Sequence, residues 1–350
     1  MGVTVKIEQH GEPIPVEPGE TLLEAALAAG VAYPHGCRSG NCGACKSQLF
    51  AGEIDLLPHS DYALTAEERA GGLILACRAT LWSDARVAWL EADEVAAHPL
   101  RHLSCRVAAV TPLTHDTTRL VLTIERGGPF DFSPGQYARL TFSGLASRDY
   151  SMAGQPAAEA SDGVDIEFFI RRMTNGRASR HVAEDLQIGD TVRVEGPYGS
   201  SWLREGHKGP ILAIAGGSGV APLKSIVDRA LALGLRQPIH LYFGVQDERD
   251  LYLEAHFAAL AARHANFRFV PVLSRPSAPT ARRTGLVHEA AAADFADFDG
   301  MKAYLAGPPV MVEAATALLL ARGLRRMDIH ADAFYTEAET SALAATAEVS

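Results

Sequence analysis

The feature that most limits what this chain can fold into is the run Tyr33-Pro-His-Gly-Cys-Arg-Ser-Gly-Asn-Cys-Gly-Ala-Cys-Lys46. Cys37, Cys42 and Cys45 stand in C-x4-C-x2-C spacing, and Cys77 follows after a gap of 31 residues. That spacing is the ligand set of a 2Fe–2S cluster. Four thiolates must converge on two irons while backbone N–H groups turn in toward the bridging sulfides. Only a tight loop of small residues allows that approach, and Gly36, Gly40, Gly43 and Ala44 provide it. A structural zinc site usually pairs two C-x2-C knuckles, and Cys77 has no such partner. A redox C-x-x-C needs no fourth cysteine, and disulfide frameworks belong to short secreted chains.

With 350 residues the chain can hold two or three domains, each with a core of its own. Its 47% hydrophobic and 21% charged residues describe an ordinary globular protein. A net charge of −10 argues against nucleic acid as a partner. Residues 1–94 hold six Lys+Arg against fourteen Asp+Glu, so most of the excess sits on the cysteine-bearing part. That acidity fits either an electron-transfer module docking on a basic patch or a solvated surface. The N-terminus alternates like a strand and shows no export signal, and Lys6 breaks the myristoylation pattern that Gly2 suggests. No apolar run reaches the length of a membrane span. The expectation is a cytoplasmic monomer without nucleic acid or membrane partners, in a compartment that keeps thiols reduced.

In chain order, Val3–Ile7 reads as a strand, a turn follows at His10–Pro13, and a Thr21-x-x-Glu24 capping box starts a helix over Leu22–Ala29 that Gly30 stops. A short helix falls near Thr65–Ala70. Glu91–Arg101 turns polar and meets a proline, as a linker does. From His102 short strands recur over Ser104–Val110, Thr118–Ile124, Tyr137–Phe142, Asp165–Ile170 and Thr191–Glu195, with one helix over His181–Leu186. That pattern predicts a small antiparallel barrel, in which Cys105 is ordinary packing. After Gly209-Pro210 strands and helices alternate, with strands over Ile211–Ala215, Ile239–Phe243, Phe267–Leu273 and Lys302–Leu305. Helices over Leu223–Leu233, Leu253–Arg263, Val287–Ala293 and Val310–Arg322 intervene, which predicts a parallel α/β sheet. A last strand is expected over Arg326–Ala333. The domain limits read as 1–91, a linker over 92–101, then 102–204 and 205–337, with a disordered tail over 338–350.

Two pairs of motifs carry chemistry in these later parts. Arg148-Asp-Tyr-Ser151 ends a barrel strand, and Gly176-Arg-Ala-Ser179 precedes a helix. An arginine pairs with phosphate, a tyrosine ring stacks on a flat heterocycle, a serine hydroxyl bonds a ring nitrogen, and a helix start binds anions. Together they predict a flavin dinucleotide site. Ala215-Gly-Gly-Ser-Gly-Val-Ala-Pro222 follows a strand, and it is either a tight turn or a pyrophosphate cradle with Pro222 in the first helical turn. Its companion is Ala306-Gly-Pro-Pro-Val-Met311, a second Gly/Pro turn after a strand.

The opening strand-strand-helix and its cysteine loop resemble the β-grasp of plant-type ferredoxins, and the paired motifs resemble the ferredoxin–NADP⁺ reductase superfamily. The whole is similar to the reductase components of aromatic-ring-hydroxylating (Rieske) dioxygenases, of the naphthalene dioxygenase reductase type. Phe132-Ser-Pro-Gly-Gln-Tyr137, Thr114-His-Asp116, Leu241-Tyr-Phe-Gly-Val245 and Asp332-Ala-Phe-Tyr335 carry that likeness. It implies a multidomain α+β and α/β fold: a β-grasp 2Fe–2S ferredoxin, an antiparallel flavin-binding β-barrel and a parallel α/β nicotinamide-binding domain. By resemblance, Arg148, Tyr150, Ser151, Arg171, Gly176, Arg177 and Ser179 would hold FAD, with Phe334 and Tyr335 near its ring. Gly216, Gly217, Ser218, Gly219, Gly307, Pro308 and Met311 would hold the nicotinamide nucleotide, and Cys37, Cys42, Cys45 and Cys77 the iron. Ser151, Tyr150 and Met311 are the catalytic candidates. Where the family commonly has cysteine before the second turn's glycine, this chain has Ala306.

The resemblance implies a route from NADH through FAD and the cluster to a Rieske ferredoxin or terminal oxygenase in aromatic-compound oxidation. A flavin is needed between them because the nicotinamide releases two electrons together and the cluster takes one. Asp247, Glu248 and Asp250 favour ribose contacts and NADH, whereas Ser274-Arg275 resembles a pair that receives a 2′-phosphate, so NADPH stays open. A reductase of a soluble di-iron monooxygenase or a deoxysugar pathway, and a redox sensor without turnover, are the competing readings.

Overall fold

Residues 2–41, 43–60, 63–90, 98–156 and 165–336 are described by the computed structural model. They fall into two units, one of residues up to 97 together with those from 332 on, the other His98–Ala331.

In the first unit, β1 (Val3–Ile7) buries Val5 and Ile7 completely and pairs antiparallel with β2 (Pro13–Val16). Thr21 then caps α1 (Leu22–Ala28). Its hydroxyl accepts from Glu24 N, and the Glu24 carboxylate accepts from Thr21 N at 2.9 Å. That reciprocal pair satisfies two helix-end donors and aims Leu22, Leu23, Ala25 and Ala26 inward. Each Leu so buried contributes about 1.5–3 kcal/mol. β3 (Lys46–Ala51), β4 (Ile54–Leu56), the Thr65-capped α2 (Ala66–Ala70), β5 (Leu73–Leu75), β6 (Ala79–Leu81) and β7 (Ala85–Trp89) follow. The sheet order is β2-β1-β7-β3-β5 with β1 and β7 parallel, and β4 pairs with β6 in a separate ribbon. This is the expected β-grasp. The cysteine loop joins α1 to β3, and Cys77 lies between β5 and β6.

The second unit opens with the antiparallel strands β8 (Arg101–Pro112), β9 (Thr117–Arg126), β10 (Tyr137–Thr141), β11 (Arg148–Ser151) and β12 (Asp165–Arg171). α3 (Arg177–Glu184) and β13 (Thr191–Tyr198) complete it, in the order β11-β10-β13-β8-β9-β12. A bridge between Met152 and Phe168 joins the two end strands and closes the barrel. The Ser133-Pro-Gly135 turn needs its glycine, since a Cβ on Gly135 would stand 2.3 Å from Ser201 O. α3 corrects the expected span of His181–Leu186, because it begins at Arg177 with Gly176 as its cap. The polar run that reads as a loop is the first helical turn.

The rest of the unit alternates as expected: β14 (Ile211–Gly216), α4 (Val220–Ala232), β15 (Ile239–Val245), α5 (Glu254–Arg263), β16 (Phe267–Leu273), β17 (Arg283–Thr284), α6 (Val287–Asp294), β18 (Lys302–Gly307), α7 (Pro309–Ala321) and β19 (Ile329–Ala333). The order β17-β16-β15-β14-β18-β19 is parallel across β17 to β18. Every residue of β14 and β18 is buried, as central parallel strands require. The final strand is shorter than expected, because Arg326–Asp328 forms a 3₁₀ turn with Lys302 and Arg325 on the Asp328 carboxylate. Succession along the sheet reverses beside β14, with β15 on one side and β18 on the other. Ligands bind at such a switch point, outside the carboxyl ends of the strands. Among the described residues no helix is long and apolar enough to cross a membrane. The expected tail over 338–350 and most of the expected linker lie outside the described residues.

Candidate active site

The cysteine loop turns its backbone inward by left-handed residues. Arg38 has φ 57°, Gly40 φ 78° and Gly43 φ 73°. As a result Asn41 N donates to Cys37 Sγ at 3.2 Å, Ser39 N donates to the same sulfur at 3.5 Å, and Cys77 N donates to Cys45 Sγ at 3.4 Å. Amides aimed at sulfur stabilise thiolate, so these residues fit a cluster held by cysteine. Cys45 and Cys77 are buried and Cys37 half-buried, while Cys42 lies outside the described residues. Among the described residues no three ligating side chains converge closely enough for a metal. Behind the loop, Tyr33 Oη lies 2.5 Å from Ser47 Oγ, which donates to the Cys45 carbonyl at 3.1 Å.

In the barrel, β11 pairs Ser151 with Tyr137 and Tyr150 with Ala138, and this sets Ser151 in the interior and leaves Arg148 and Tyr150 half-buried. Burial pushes the Tyr150 phenol up to about 12, so it stays protonated. At the start of α3, a Cβ on Gly176 would meet Ser179 Oγ at 2.5 Å. The Ser179 hydroxyl accepts from Met173 N at 3.0 Å and donates to Gly176 O at 3.2 Å. Ser179 therefore shapes the turn, and the exposed Arg177 and the opening amides of α3 are what an anion would meet. These residues fit a flavin dinucleotide. Phe334 and Tyr335 directly follow β19, both half-buried and grouped with the first unit.

Past β14, Gly217 takes φ 54° and the chain passes through Ser218 and Gly219 into α4. A Cβ on Gly216 would meet Met311 Sδ at 2.6 Å, and one on Gly307 would meet Gly216 O at 2.8 Å. The two turns thus pack on each other and open into a cavity of about 320 Å³ that Gly216, Gly217, Pro308 and Met311 line. Gly219, Gly307 and Ser218 are not among its lining residues; the two glycines make the close packing behind it. Buried Ala306 pairs with Ala215 at the ends of β18 and β14.

Arg171 lines this cavity, and its Nη1 is 3.5 Å from where a Cβ on Gly217 would be. Its Nε donates to Asp116 Oδ2 at 2.7 Å. Burial works to raise the Asp116 carboxyl, but the Arg171, Thr114 and Thr117 hydrogen bonds outweigh it and hold it below the usual range. Asp116 and Tyr252, also on the wall, were missed by sequence reasoning, though Asp116 sits in the Thr114-His-Asp116 segment that carried the resemblance. Of the three acids expected near the ribose, only Asp250 lines the cavity. Asp247 accepts from Glu248 N and Ser277 N, and Glu248 pairs with Arg282 at 2.8 Å. Ser274 lines the cavity beside exposed Arg275.

Fold and sites define an iron–sulfur flavoprotein reductase with three cofactor modules. The 2Fe-2S iron-sulfur cluster binding domain family matches residues 5–81, the oxidoreductase FAD-binding domain family 104–202 and the oxidoreductase NAD-binding domain family 213–317. The chain belongs to the ferredoxin–NAD(P)⁺ reductase components of the naphthalene dioxygenase type. It is 41% identical over 320 residues to the reductase component of the Ralstonia naphthalene 1,2-dioxygenase/salicylate 5-hydroxylase systems, covering 91% of this chain and 94% of that one. It is 36% identical to the reductase component of a Pseudomonas phenol 2-monooxygenase, covering 97% and 96%. The crystal structure of an Amycolatopsis cytochrome P450 reductase superposes with a TM-score of 0.79 at 38% identity, covering 95% and 98%.

Proposed function

We propose that this chain draws electrons from NADH and delivers them one at a time to a Rieske ferredoxin or terminal oxygenase in aromatic-compound oxidation, as a cytoplasmic monomer. The observation that supports this most is the cavity at the β14/β18 switch point, floored by Gly216 and Gly217 and walled on one side by the barrel's Asp116 and Arg171. A nucleotide there lies against the domain with the flavin motifs. Bound FAD supplies the conversion between the two-electron chemistry of a nicotinamide and the one-electron chemistry of a 2Fe–2S cluster.

The chain's residues divide the work of binding and orientation. Arg148 pairs with the flavin pyrophosphate together with Gly176, Arg177 and the first turn of α3, in which Ser179 braces the backbone. Tyr150 would hold the flavin ring by stacking, and Ser151 would offer its hydroxyl to a ring nitrogen. Gly216 and Gly217 let the nucleotide backbone approach, and Arg171, braced by Asp116, meets its phosphates. Pro308 and Met311 wall the nicotinamide, backed by Ser218, Gly219 and Gly307. Cys37, Cys42, Cys45 and Cys77 hold the irons. Asp250 on the wall supports NADH as the donor, with Ser274 and Arg275 as the counterpart for NADPH.

The similarity to a phenol 2-monooxygenase reductase supports a second reading in which the acceptor is a monooxygenase. Purified protein given NADH should reduce an artificial one-electron acceptor continuously, and reconstitution with candidate oxygenases would separate the two partners. A chain that keeps its cofactors yet shows no NADH oxidation refutes turnover.

A further inference from the structure

The segment that directly follows Ser151 is fastened to the helix that directly follows the glycine turn. Lys224 Nζ donates to Ala153 O at 3.1 Å, Ser225 Oγ donates to Gly154 O at 2.6 Å, and Gln155 Nε2 donates to Ser225 O at 2.8 Å. Lys224 lies on α4, five residues past Gly219, and Ala153 lies two past Ser151. The lysine is held by carboxylates from both sides of the junction, Glu167 on β12 at 3.3 Å and Asp228 on its own helix at 3.1 Å. Its side chain is 12% exposed and theirs 15%. Arg119 on β9 completes the Glu167 end at 2.5 Å, and His256 on α5 completes the Asp228 end at 2.8 Å. Lys224 and Arg119 thus face the carboxylates of Glu167 and Asp228.

Charges paired this closely while largely withdrawn from solvent are weak evidence for stability alone. Transfer between two bound groups requires the reacting atoms to be held about 3–3.5 Å apart, and small misplacements cost rate steeply. One group depends on Tyr150 and Ser151, the other on Gly216 and Gly217, and these lie on different domains. We propose that Lys224 and Ser225 are positioning residues that lock the start of α4 to Ala153–Gln155 and so fix the spacing between the nucleotide turn and the flavin strand. The proposal rests on the functional reading above and adds residues that touch neither ligand.

The test uses full-length protein loaded with FAD and cluster, as wild type, Lys224→Met, Lys224→Arg and Ser225→Ala. Lys224→Met keeps the aliphatic stem and removes the charge, and Ser225→Ala removes one hydrogen bond. The readouts are FAD content, NAD⁺ affinity, the single-turnover rate of flavin reduction, and the long-wavelength charge-transfer absorbance of the reduced protein with NAD⁺. The expected result is unchanged FAD content and NAD⁺ affinity, weakened charge-transfer absorbance, and a reduction rate lower by about tenfold or more in Lys224→Met, less in Ser225→Ala, and partly restored in Lys224→Arg. A role in stability alone predicts a lowered melting temperature with rate and absorbance intact, and that result overturns the proposal. If Lys224→Met does not fold, Ser225→Ala decides by the same two readouts. Wild-type flavin that NADH fails to reduce defeats the functional reading itself, whereas normal wild-type reduction with unaltered variants defeats only the positioning role.

Discussion

A Cβ placed on Gly219 would stand 2.0 Å from the carbonyl oxygen of Ala306, so the start of α4 and the end of β18 touch backbone to backbone. The reason for glycine there is proximity, since its φ of −61° suits any residue. Gly219→Ala must push the two turns apart. It should destabilise the second unit by about 1–3 kcal/mol and weaken NAD⁺ binding before FAD is lost. Denaturant unfolding and NAD⁺ titration of the same preparation check this, and unchanged binding with the turn intact would count against the packing argument.

Arg171 separates two assignments. A hydrogen bond to a charged group contributes about 1.5–3 kcal/mol, so Arg171→Ala should raise the KM for NADH by about tenfold to a hundredfold while FAD content holds. Loss of FAD with KM unchanged would return this arginine to the flavin. Asp116→Asn should show a milder form of the same defect, because the guanidinium keeps its place but loses its charged brace.

Gly43→Ala tests the cysteine loop. The residue sits at φ 73° and its Cβ would come within 3.0 Å of Ala63 O. A left-handed non-glycine residue costs about 1–2 kcal/mol, and the loop must shift to relieve the contact. Iron and acid-labile sulfide per chain should fall while FAD and NAD⁺ binding persist.

Acid should act through Asp294. Bidentate hydrogen bonds from Arg283 hold its carboxyl well below the usual range; burial opposes them and the Tyr242 hydroxyl adds to them. A carboxyl depressed in the folded state contributes stability above its unfolded value, and that contribution is lost as pH falls through the folded value. Below about pH 4 wild type should therefore lose stability more steeply than Asp294→Asn. Parallel acid slopes in denaturant midpoints would refute the assignment.

Much of this was legible in the sequence because it is local. The capping box at Thr21, the short helix near Thr65, the barrel strands, the switch to strand–helix alternation after Pro210 and the two Gly/Pro turns all declare themselves within a few residues. Where reading failed, the cause lies in contacts between distant residues. The start of α3 was hidden because Ser179 bonds back to Met173 and made a helical turn look like a loop. Asp247 and Glu248 carried the right chemistry for ribose, but Ser277 and Arg282, about thirty residues on, take their oxygens. Nothing near Lys224 announces Glu167, which is 57 residues away on a barrel strand.

On the proposed route, electrons entering as NADH reach iron through flavin within one chain. The most direct measurement is anaerobic addition of NADH to purified protein, followed at once by visible absorbance and by electron paramagnetic resonance. The expected result is one FAD, two irons and two labile sulfides per chain, bleaching of the flavin bands, and then the signal of a reduced 2Fe–2S cluster. Flavin that bleaches while the cluster stays oxidised, or protein carrying no iron after anaerobic preparation, would contradict it.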